Sequence, residues 1–308
     1  MKLAIIQDGP EYFDLKKTVE KTHDLLADAA SRGADVVVFG ECWLTGYPVW
    51  LDICSDMNLW DDPDVKALWS KMYANSISVE TEEFKKLCAH VKELGVHVII
   101  GANERVHSGR GNGTLYNSIL TIDQSGNLVN HHRKLMPTYT EKLVHGLGDG
   151  SGLNVMDTKH GRIGSLICWE HWMPLARQTM HDAGEDLHIA LWPHVKDLHH
   201  VASRHYAHEG RCYVAAVGQI MHESELPAGL SISPKIKVPD DGIIMKGGSA
   251  IYGPDGSVVI EPSYGKREII MAELDLNTCV GERMNLDVTG HYQRSDVFDF
   301  NVDRSRTE

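Results

Sequence analysis

The segment GRIGSLICWEHWMPLAR, residues 161–177, joins a predicted strand to a predicted helix through a single cysteine. The run RIGSLIC is short and apolar, which is typical of a strand buried in a sheet. Trp169 and Glu170 follow at once and begin a segment with helical character. A cysteine at such a junction is either a small buried hydrophobe or, at a helix N-terminus, a thiol that ionises easily and attacks electrophilic carbon.

Strand-like and helix-like segments alternate on both sides of this junction. Short apolar runs predict the strands KLAIIQ (2–7), ADVVVFG (34–40), VHVIIGA (96–102), RIGSLIC (162–168), LHIALWP (187–193), CYVAAVGQI (212–220) and REIIMAELDL (267–276). Helical spacing predicts helices at 14–32, 84–94, 172–183 and 199–211, and turn residues predict hairpins within 115–134 and 247–262. The alternation favours one α/β domain with mixed sheets, residues 1–276, and a polar C-terminal tail, residues 277–308, that contacts its own surface or a partner subunit.

The composition is that of an ordinary globular protein, with 42% hydrophobic and 24% charged residues among 308. The 43 acidic and 30 basic residues give a net charge of −13, which argues against nucleic acid or an anionic membrane surface as a partner. No apolar run approaches the ~20 residues that span a bilayer, and the apolar start is too short for a secretion signal. The six cysteines lack paired spacing, so we expect reduced thiols and a cytoplasmic location.

Three polar residues, Glu41, Lys134 and Cys168, each follow a predicted strand. Ligands and catalytic groups of α/β sheets collect beyond the carboxyl ends of strands. Taken singly, the glutamate fits a solvated loop, the lysine an exposed basic rim and the cysteine a core position. Taken together their chemistry is complementary, because an ammonium favours a thiolate and stabilises charge on an attacked atom, while a carboxylate takes protons from thiol or water.

With their neighbours, these three residues resemble the Glu–Lys–Cys triad of the nitrilase, or carbon–nitrogen hydrolase, superfamily. The match follows the family's order over nearly the whole chain. Three segments are similar to the true nitrilase branch rather than to its amidase or carbamoylase branches: HRKLMPTYTEKLVHGLGDGSGL (132–153), CWEHWMPLAR (168–177) and GHYQRSD (290–296). The resemblance implies a four-layer α-β-β-α sandwich with mixed sheets that dimerises through its helical layer.

The resemblance also implies roles by position. Cys168 is the expected nucleophile, Lys134 the charge stabiliser and Glu41 the general base. Glu141 matches a second glutamate that positions groups around the triad, and a surface carboxylate beside Lys142 is the alternative interpretation.

The implied reaction converts an organic nitrile into a carboxylic acid and ammonia through a thioimidate and an acyl-thioester on the cysteine, with no metal and no organic cofactor. An amidase or a cyanide-hydrating enzyme shares the triad and remains an alternative, as does a nitrilase-fold scaffold that acts only by binding. The expected partners are a small-molecule nitrile and further copies of the chain, in a homodimer or a larger homo-oligomer.

Aromatic side chains are candidates for an apolar pocket around the substrate, and those expected nearest to it are Tyr47, Tyr139, Trp169 and Trp192. Two positions depart from the family pattern. Thr140 stands where many relatives have histidine, and His145 where many have tryptophan, so the sequence leaves the substrate preference open.

Other residues offer competing interpretations. The histidines of residues 199–208 suggest a metal site, but no motif such as HExxH accompanies them, and polar histidines on a helix surface are the simpler interpretation. His171 lies three residues past Cys168, in the helical segment that follows it, so a cysteine–histidine pair across a cleft is not expected. Cys42 opens a Trp-rich loop and is expected to pack or to line the pocket.

Overall fold

The short β-branched runs form the strands of two mixed sheets in the computed structural model, which describes residues 1–306. The strands are β1 (Lys2–Gln7), β2 (Val36–Phe39), β3 (His97–Arg105), β4 (Leu115–Ile122), β5 (Leu128–Arg133), β6 (Met156–Thr158), β7 (Gly161–Ile167), β8 (Leu187–Leu191), β9 (Tyr213–Val217), β10 (Ile220–His222), β11 (Ile243–Tyr252), β12 (Val258–Tyr264) and β13 (Glu268–Glu273). The helices are α1 (Leu15–Ser31), α2 (Trp50–Ile53), α3 (Pro63–Ala74), α4 (Glu82–Leu94), α5 (Pro174–Ala183), α6 (Asp197–Gly210) and α7 (Thr278–Glu282), with 3₁₀ turns at Tyr139–Leu143, Gly150–Gly152, Cys168–Trp172 and Glu223–Glu225.

Each sheet has a parallel centre with antiparallel edges. The first sheet has the order β13-β1-β2-β3-β4-β5, in which β1, β2 and β3 are parallel. The second has the order β10-β11-β9-β8-β7-β6 with β12 beside β11, and β7, β8 and β9 are parallel. Parallel neighbours require crossover connections, which explains why helices separate these strands in the sequence.

Alternating side chains of the central strands pack on opposite faces of the first sheet. In β1, Leu3 and Ile5 join a core shared with the second sheet and its helices α5 and α6, whereas Ala4 and Ile6 join a core with α1 and α4. Both faces of these strands are therefore buried, which is why their sequences are apolar throughout. The predicted α-β-β-α sandwich is confirmed.

Two local differences from the sequence prediction have simple causes. The segment after Cys168 begins as a 3₁₀ turn, and α5 starts only at Pro174, which occupies the first turn, where its missing N–H costs nothing. The Trp-rich segment between β2 and α4 also contains α3, a helix that the sequence does not predict. Its N-cap Asp62 accepts hydrogen bonds from the N–H groups of Asp64 and Val65, and Pro63 again occupies the first turn.

The C-terminal segment after α7 lies against its own chain. Arg306 donates a hydrogen bond to the carbonyl oxygen of His131 at 2.5 Å, and Arg304 donates to the Asn154 side chain at 2.9 Å. Within residues 1–306, no helix is both long and apolar enough to cross a membrane.

The carboxyl ends of the parallel strands in both sheets meet at one edge of the sandwich. Glu41 follows β2 in the first sheet and Cys168 follows β7 in the second. The backbone N–H of Glu41 lies 3.5 Å from the carbonyl oxygen of Trp192, directly after β8. The sandwich thus places residues that are far apart in the sequence around one edge.

Replacing Ile5 with Ala should destabilise the fold by about 2–5 kcal/mol, because it removes a fully buried side chain from the core between the sheets. Chemical denaturation followed by circular dichroism measures this loss. The matched control is Val129→Ala, since Val129 is 46% exposed and should tolerate the change. Equal denaturation midpoints for the two variants would contradict the assigned packing.

Candidate active site

Cys168 lies where β7 ends and a 3₁₀ turn begins. Its backbone φ is +51°, in the left-handed region that non-glycine residues rarely adopt, and its side chain is 4% exposed. Burial raises the pKa of the thiol well above its usual value, nearby Glu41 and Glu141 raise it further, and Lys134 and the Trp169 N–H oppose the shift. The resting side chain is therefore a thiol that needs a neighbouring base to become a thiolate.

Lys134 places its ammonium between two buried carboxylates. Its Nζ atom is 3.0 Å from Glu41 Oε1 and 2.7 Å from Glu141 Oε2, and all three side chains are almost fully buried. Burial by itself would lower the pKa of Lys134, but the adjacent anionic groups raise it well above its usual value. The lysine is thus a permanent cation at this edge of the sandwich.

The two carboxylates differ in their surroundings. Burial raises the pKa of Glu41 to about 7, against the opposing effect of Lys134. Burial would also raise the pKa of Glu141, but Lys134 and His145 outweigh it and the pKa is lowered. Glu141 also accepts a hydrogen bond from the Tyr47 hydroxyl at 3.0 Å. Glu141 is therefore the fixed anion, and Glu41 is poised to gain and lose a proton near neutral pH.

The two carboxylate oxygens of Glu41 differ in their hydrogen bonds. Oε1 accepts from Asn117 Nδ2 at 2.7 Å as well as from Lys134, whereas Oε2 has no hydrogen-bond partner among the described residues. Ligand atoms of Glu41, Glu141 and Cys168 lie within 4.8 Å of one another. One carboxylate oxygen of Glu41 therefore lies within 4.8 Å of the Cys168 sulfur.

Two carboxylates and a thiol are also a donor set for a metal ion, but here the two carboxylates bind an ammonium. Lys134 donates to both carboxylates and supplies the positive charge that a metal would supply.

The histidines of α6 do not join this group. His205 is mostly exposed, whereas His199 is half-buried and stacks on Trp192 with 4.2 Å between ring centroids. The prediction of surface histidines therefore fits His205 but not His199.

A cavity of about 890 Å³ opens beside Cys168. Three of the four aromatic residues predicted near a substrate line it: Tyr47, Tyr139 and Trp169. Trp192 does not, because its ring is fully buried behind His199, which forms the wall in its place. Tyr47 lines the cavity and its hydroxyl also donates a hydrogen bond to Glu141.

The two positions that depart from the family pattern have different surroundings. Thr140 lines the cavity and its hydroxyl donates a hydrogen bond to Asp52, which lines it too. His145 is buried behind Glu141, bonds Asn103 Oδ1 through Nε2 at 2.8 Å and has a pKa lowered to about 4 by burial. Only Thr140 can touch a ligand directly.

Glu170, a site residue not predicted from the sequence, ties the two sheets together at the site. Its buried carboxylate accepts hydrogen bonds from the backbone N–H of Ile167 at 2.7 Å and of Leu135 at 2.8 Å, and contacts His132 Nε2 at 2.9 Å. Ile167 directly precedes Cys168 and Leu135 directly follows Lys134. One side chain therefore fixes the spacing of the sulfur and the ammonium, a role that no local sequence signal reveals.

Comparison with known proteins shows a match to the carbon-nitrogen hydrolase family model over residues 2–283. The chain is 36% identical over 302 residues to an aliphatic nitrilase of Sinorhizobium fredii (strain HH103), covering 98% of this chain and 95% of that protein. It is 33% identical over 299 residues to a bifunctional nitrilase/nitrile hydratase of Nicotiana tabacum, covering 96% and 84%. A carbon-nitrogen hydrolase structure from Helicobacter pylori G27 has the same fold, with a TM-score of 0.73 at 21% identity over 97% of this chain and 96% of that chain.

Replacing Glu170 with Gln should destabilise the protein by about 3–5 kcal/mol, because an amide NH₂ would then face backbone donors that the carboxylate now satisfies. Thermal or chemical denaturation measures the loss. Glu273→Gln is the matched control, since Glu273 is exposed at the end of β13. If both variants unfolded at the wild-type midpoint, Glu170 would not be the link between the two sheets.

Proposed function

Because the chain belongs to the carbon–nitrogen hydrolase family, we propose that it is a nitrilase that hydrolyses an organic nitrile to a carboxylic acid and ammonia. The observation that supports this most directly is the Lys134 ammonium, which bridges Glu41 and Glu141 beside the Cys168 thiol. The similarity to proteins named as nitrilases over nearly their whole length supports the nitrile as substrate.

In the first step, Glu41 takes the thiol proton through its free Oε2 and the Cys168 sulfur attacks the nitrile carbon. A C–S bond forms as one π bond of the nitrile breaks, and its electron pair moves to nitrogen. Lys134 and the backbone N–H of Trp169 stabilise the charge that develops there. The proton that Glu41 took from the thiol then passes to this nitrogen, which gives a neutral thioimidate and restores the Glu41 carboxylate.

Two water molecules complete the reaction. The first, activated by Glu41, adds to the thioimidate carbon, and the C–N bond then breaks to release ammonia and leave an acyl-thioester. The second adds to the thioester carbon and breaks the C–S bond, which releases the acid and restores the thiol. Glu141 holds Lys134 in place throughout, because its lowered pKa keeps it anionic.

The cavity supports an organic nitrile rather than cyanide as the substrate. Its volume of about 890 Å³ is far larger than cyanide requires, and aromatic walls suit an apolar R group. Glu41, Lys134, Glu141 and Cys168 are the proposed catalytic residues, and Tyr47, Tyr139 and Trp169 the proposed substrate contacts. An amidase with the same residues is the main alternative and differs only in the substrate that it accepts.

We further propose a cytoplasmic homo-oligomer. The six cysteines are free of disulfides in the described chain, which suits a reducing compartment. Large apolar side chains remain exposed on α7 and the tail, including Val280, Met284 and Phe298, which supports pairing through this region. The proposed division is a hydrolase domain at residues 1–276 and a contact-forming tail at 277–308.

Purified protein should release ammonia from at least one member of a panel of aliphatic, aromatic and arylacetonitrile substrates, and Cys168→Ala should abolish this release with the fold retained. Cys88→Ala is the matched control, because Cys88 lies on α4 and should leave turnover near the wild-type rate. Turnover of the corresponding amides without turnover of any nitrile would favour the amidase. Unchanged behaviour of Cys168→Ala would favour a binding scaffold.

The pH dependence should report Glu41, whose pKa burial raises to about 7. The reaction requires the ionised carboxylate, so kcat/KM should fall about tenfold per pH unit below this value and level off above it. Initial rates of ammonia release from pH 5 to 9 measure the profile. Asp52→Asn, which removes another cavity carboxyl, should keep the same acid limb, and loss of the limb in that variant would assign it to Asp52 instead.

A further inference from the structure

A chain of buried polar side chains runs from the backbone of Cys168 away from the cavity. His171 Nδ1 lies 2.6 Å from the carbonyl oxygen of Cys168, and His171 Nε2 lies 3.0 Å from His188 Nε2. His188 Nδ1 lies 2.7 Å from Glu185 Oε2. All three side chains are at most 2% exposed, and the proposed reaction uses none of them.

The surrounding structure is shaped to hold this chain. A Cβ atom on Gly164 of β7 would lie 2.0 Å from Glu185 Oε2, so only glycine leaves room for the carboxylate. Tyr206 donates its hydroxyl proton to Glu185 Oε1 and stacks on His188 with 3.9 Å between ring centroids. Trp192 stacks on His171 at 4.9 Å. The burial of Trp192, unexpected from the sequence, is thus explained by its contacts with His171 and His199.

The contacts determine where the protons lie. A carbonyl oxygen only accepts, so His171 Nδ1 carries a proton. The close Nε2–Nε2 contact needs one proton between the two rings, and the ionised Glu185 needs one on His188 Nδ1. Three protons on four ring nitrogens make one ring an imidazolium. Burial lowers the pKa of His171 well below its usual value, and the Glu185 carboxylate lies against the other ring, at His188 Nδ1. Burial would raise the pKa of Glu185, but His188 and His181 lower it to about 2.

The peptide group between Cys168 and Trp169 connects this chain to the chemistry. Its carbonyl oxygen accepts a hydrogen bond from His171. Its N–H points in the opposite direction within the same peptide plane and donates toward the Cys168 sulfur. A hydrogen bond to a carbonyl polarises the whole amide and makes its N–H a stronger donor. The positive charge on the two bonded rings strengthens that bond further, because it increases the positive charge on the His171 Nδ1 proton.

We propose that His171, His188 and Glu185 are positioning residues that fix the Cys168–Trp169 peptide plane and polarise its N–H toward the reacting sulfur and nitrogen. The inference deepens the proposed function and rests on it for the identity of the reaction. It also accounts for the left-handed backbone of Cys168, since the hydrogen bond from His171 helps to hold that conformation.

Other ionisable groups face this chain and belong to any account of its pH dependence. His181 Nδ1 lies 3.6 Å from Glu185 Oε1, and its Nε2 lies 3.2 Å from Glu209 Oε2. Arg177 is also paired with Glu209 at 2.7 Å. His199 interacts electrostatically with His171, and the Cys212 thiol with Glu185.

The sharpest test is Glu185→Gln, which removes the charge but not the hydrogen bonds. The amide can donate to His188 Nδ1, His188 to His171 and His171 to Cys168, all as neutral groups. We expect this variant to fold with KM within about twofold of wild type and kcat lowered about tenfold, a smaller loss than removal of a whole oxyanion donor. His188→Gln should likewise lower kcat with KM within about twofold of wild type. His97→Gln, which changes a buried histidine at the first residue of β3, should change neither constant.

A second readout does not depend on nitrile turnover. The rate of Cys168 alkylation by iodoacetamide, followed by peptide mass spectrometry against pH, reports the thiolate, and its midpoint should move to higher pH in Glu185→Gln. An unchanged kcat and an unchanged midpoint would overturn the proposal, as would failure of this variant to fold. If wild-type protein hydrolyses no nitrile, the proposed reaction fails, but the alkylation midpoint still tests the three residues.

Discussion

A lysine ammonium removed from water is the constraint on which the site depends. The Lys134 side chain is 1% exposed and could not remain charged there without Glu41 and Glu141 within hydrogen-bond distance. Its charge in turn keeps Glu141 ionised. Since the three groups come from different parts of the first sheet and its loops, the charge cluster also fixes where those loops lie, and hence the position of the cavity wall.

Cys168 comes from the second sheet, so the two sheets must be held in register for the sulfur to meet the cluster. Glu170 provides this link through the backbone N–H groups of Leu135 and Ile167. His171 holds the Cys168 carbonyl from the opposite side. Glu170 and His171, which are consecutive residues of one 3₁₀ turn, therefore both position Cys168. Glu170 binds the N–H of the residue before Cys168 and His171 binds its carbonyl oxygen, so the strained backbone is held on both sides.

Prediction from the sequence worked where a signal is local. The strands of both parallel centres, the hairpins and the helices that separate the strands follow from apolar periodicity and turn residues, and their bounds differ from the structure by a few residues. α3 was missed because its start signal, Asp62 followed by Pro63, lies in a Trp- and Asp-rich stretch with a weak apolar pattern. Glu170 and Asn117 gave no signal of their roles, because the partners that these roles depend on, Leu135 and Glu41, lie 35 and 76 residues away.

The α/β class, the family and the strand-end positions of Glu41, Lys134 and Cys168 follow from the order of the amino acids, because periodicity and motif order are properties of the chain. The contacts between side chains became known from the folded structure. It paired Lys134 with Glu141 and buried Trp192 behind His199 rather than at the cavity. It also turned His171, an unremarkable residue of a helical segment, toward His188. Such contacts depend on how the two sheets pack. This packing depends on the shapes of all core side chains together rather than on any local run of residues.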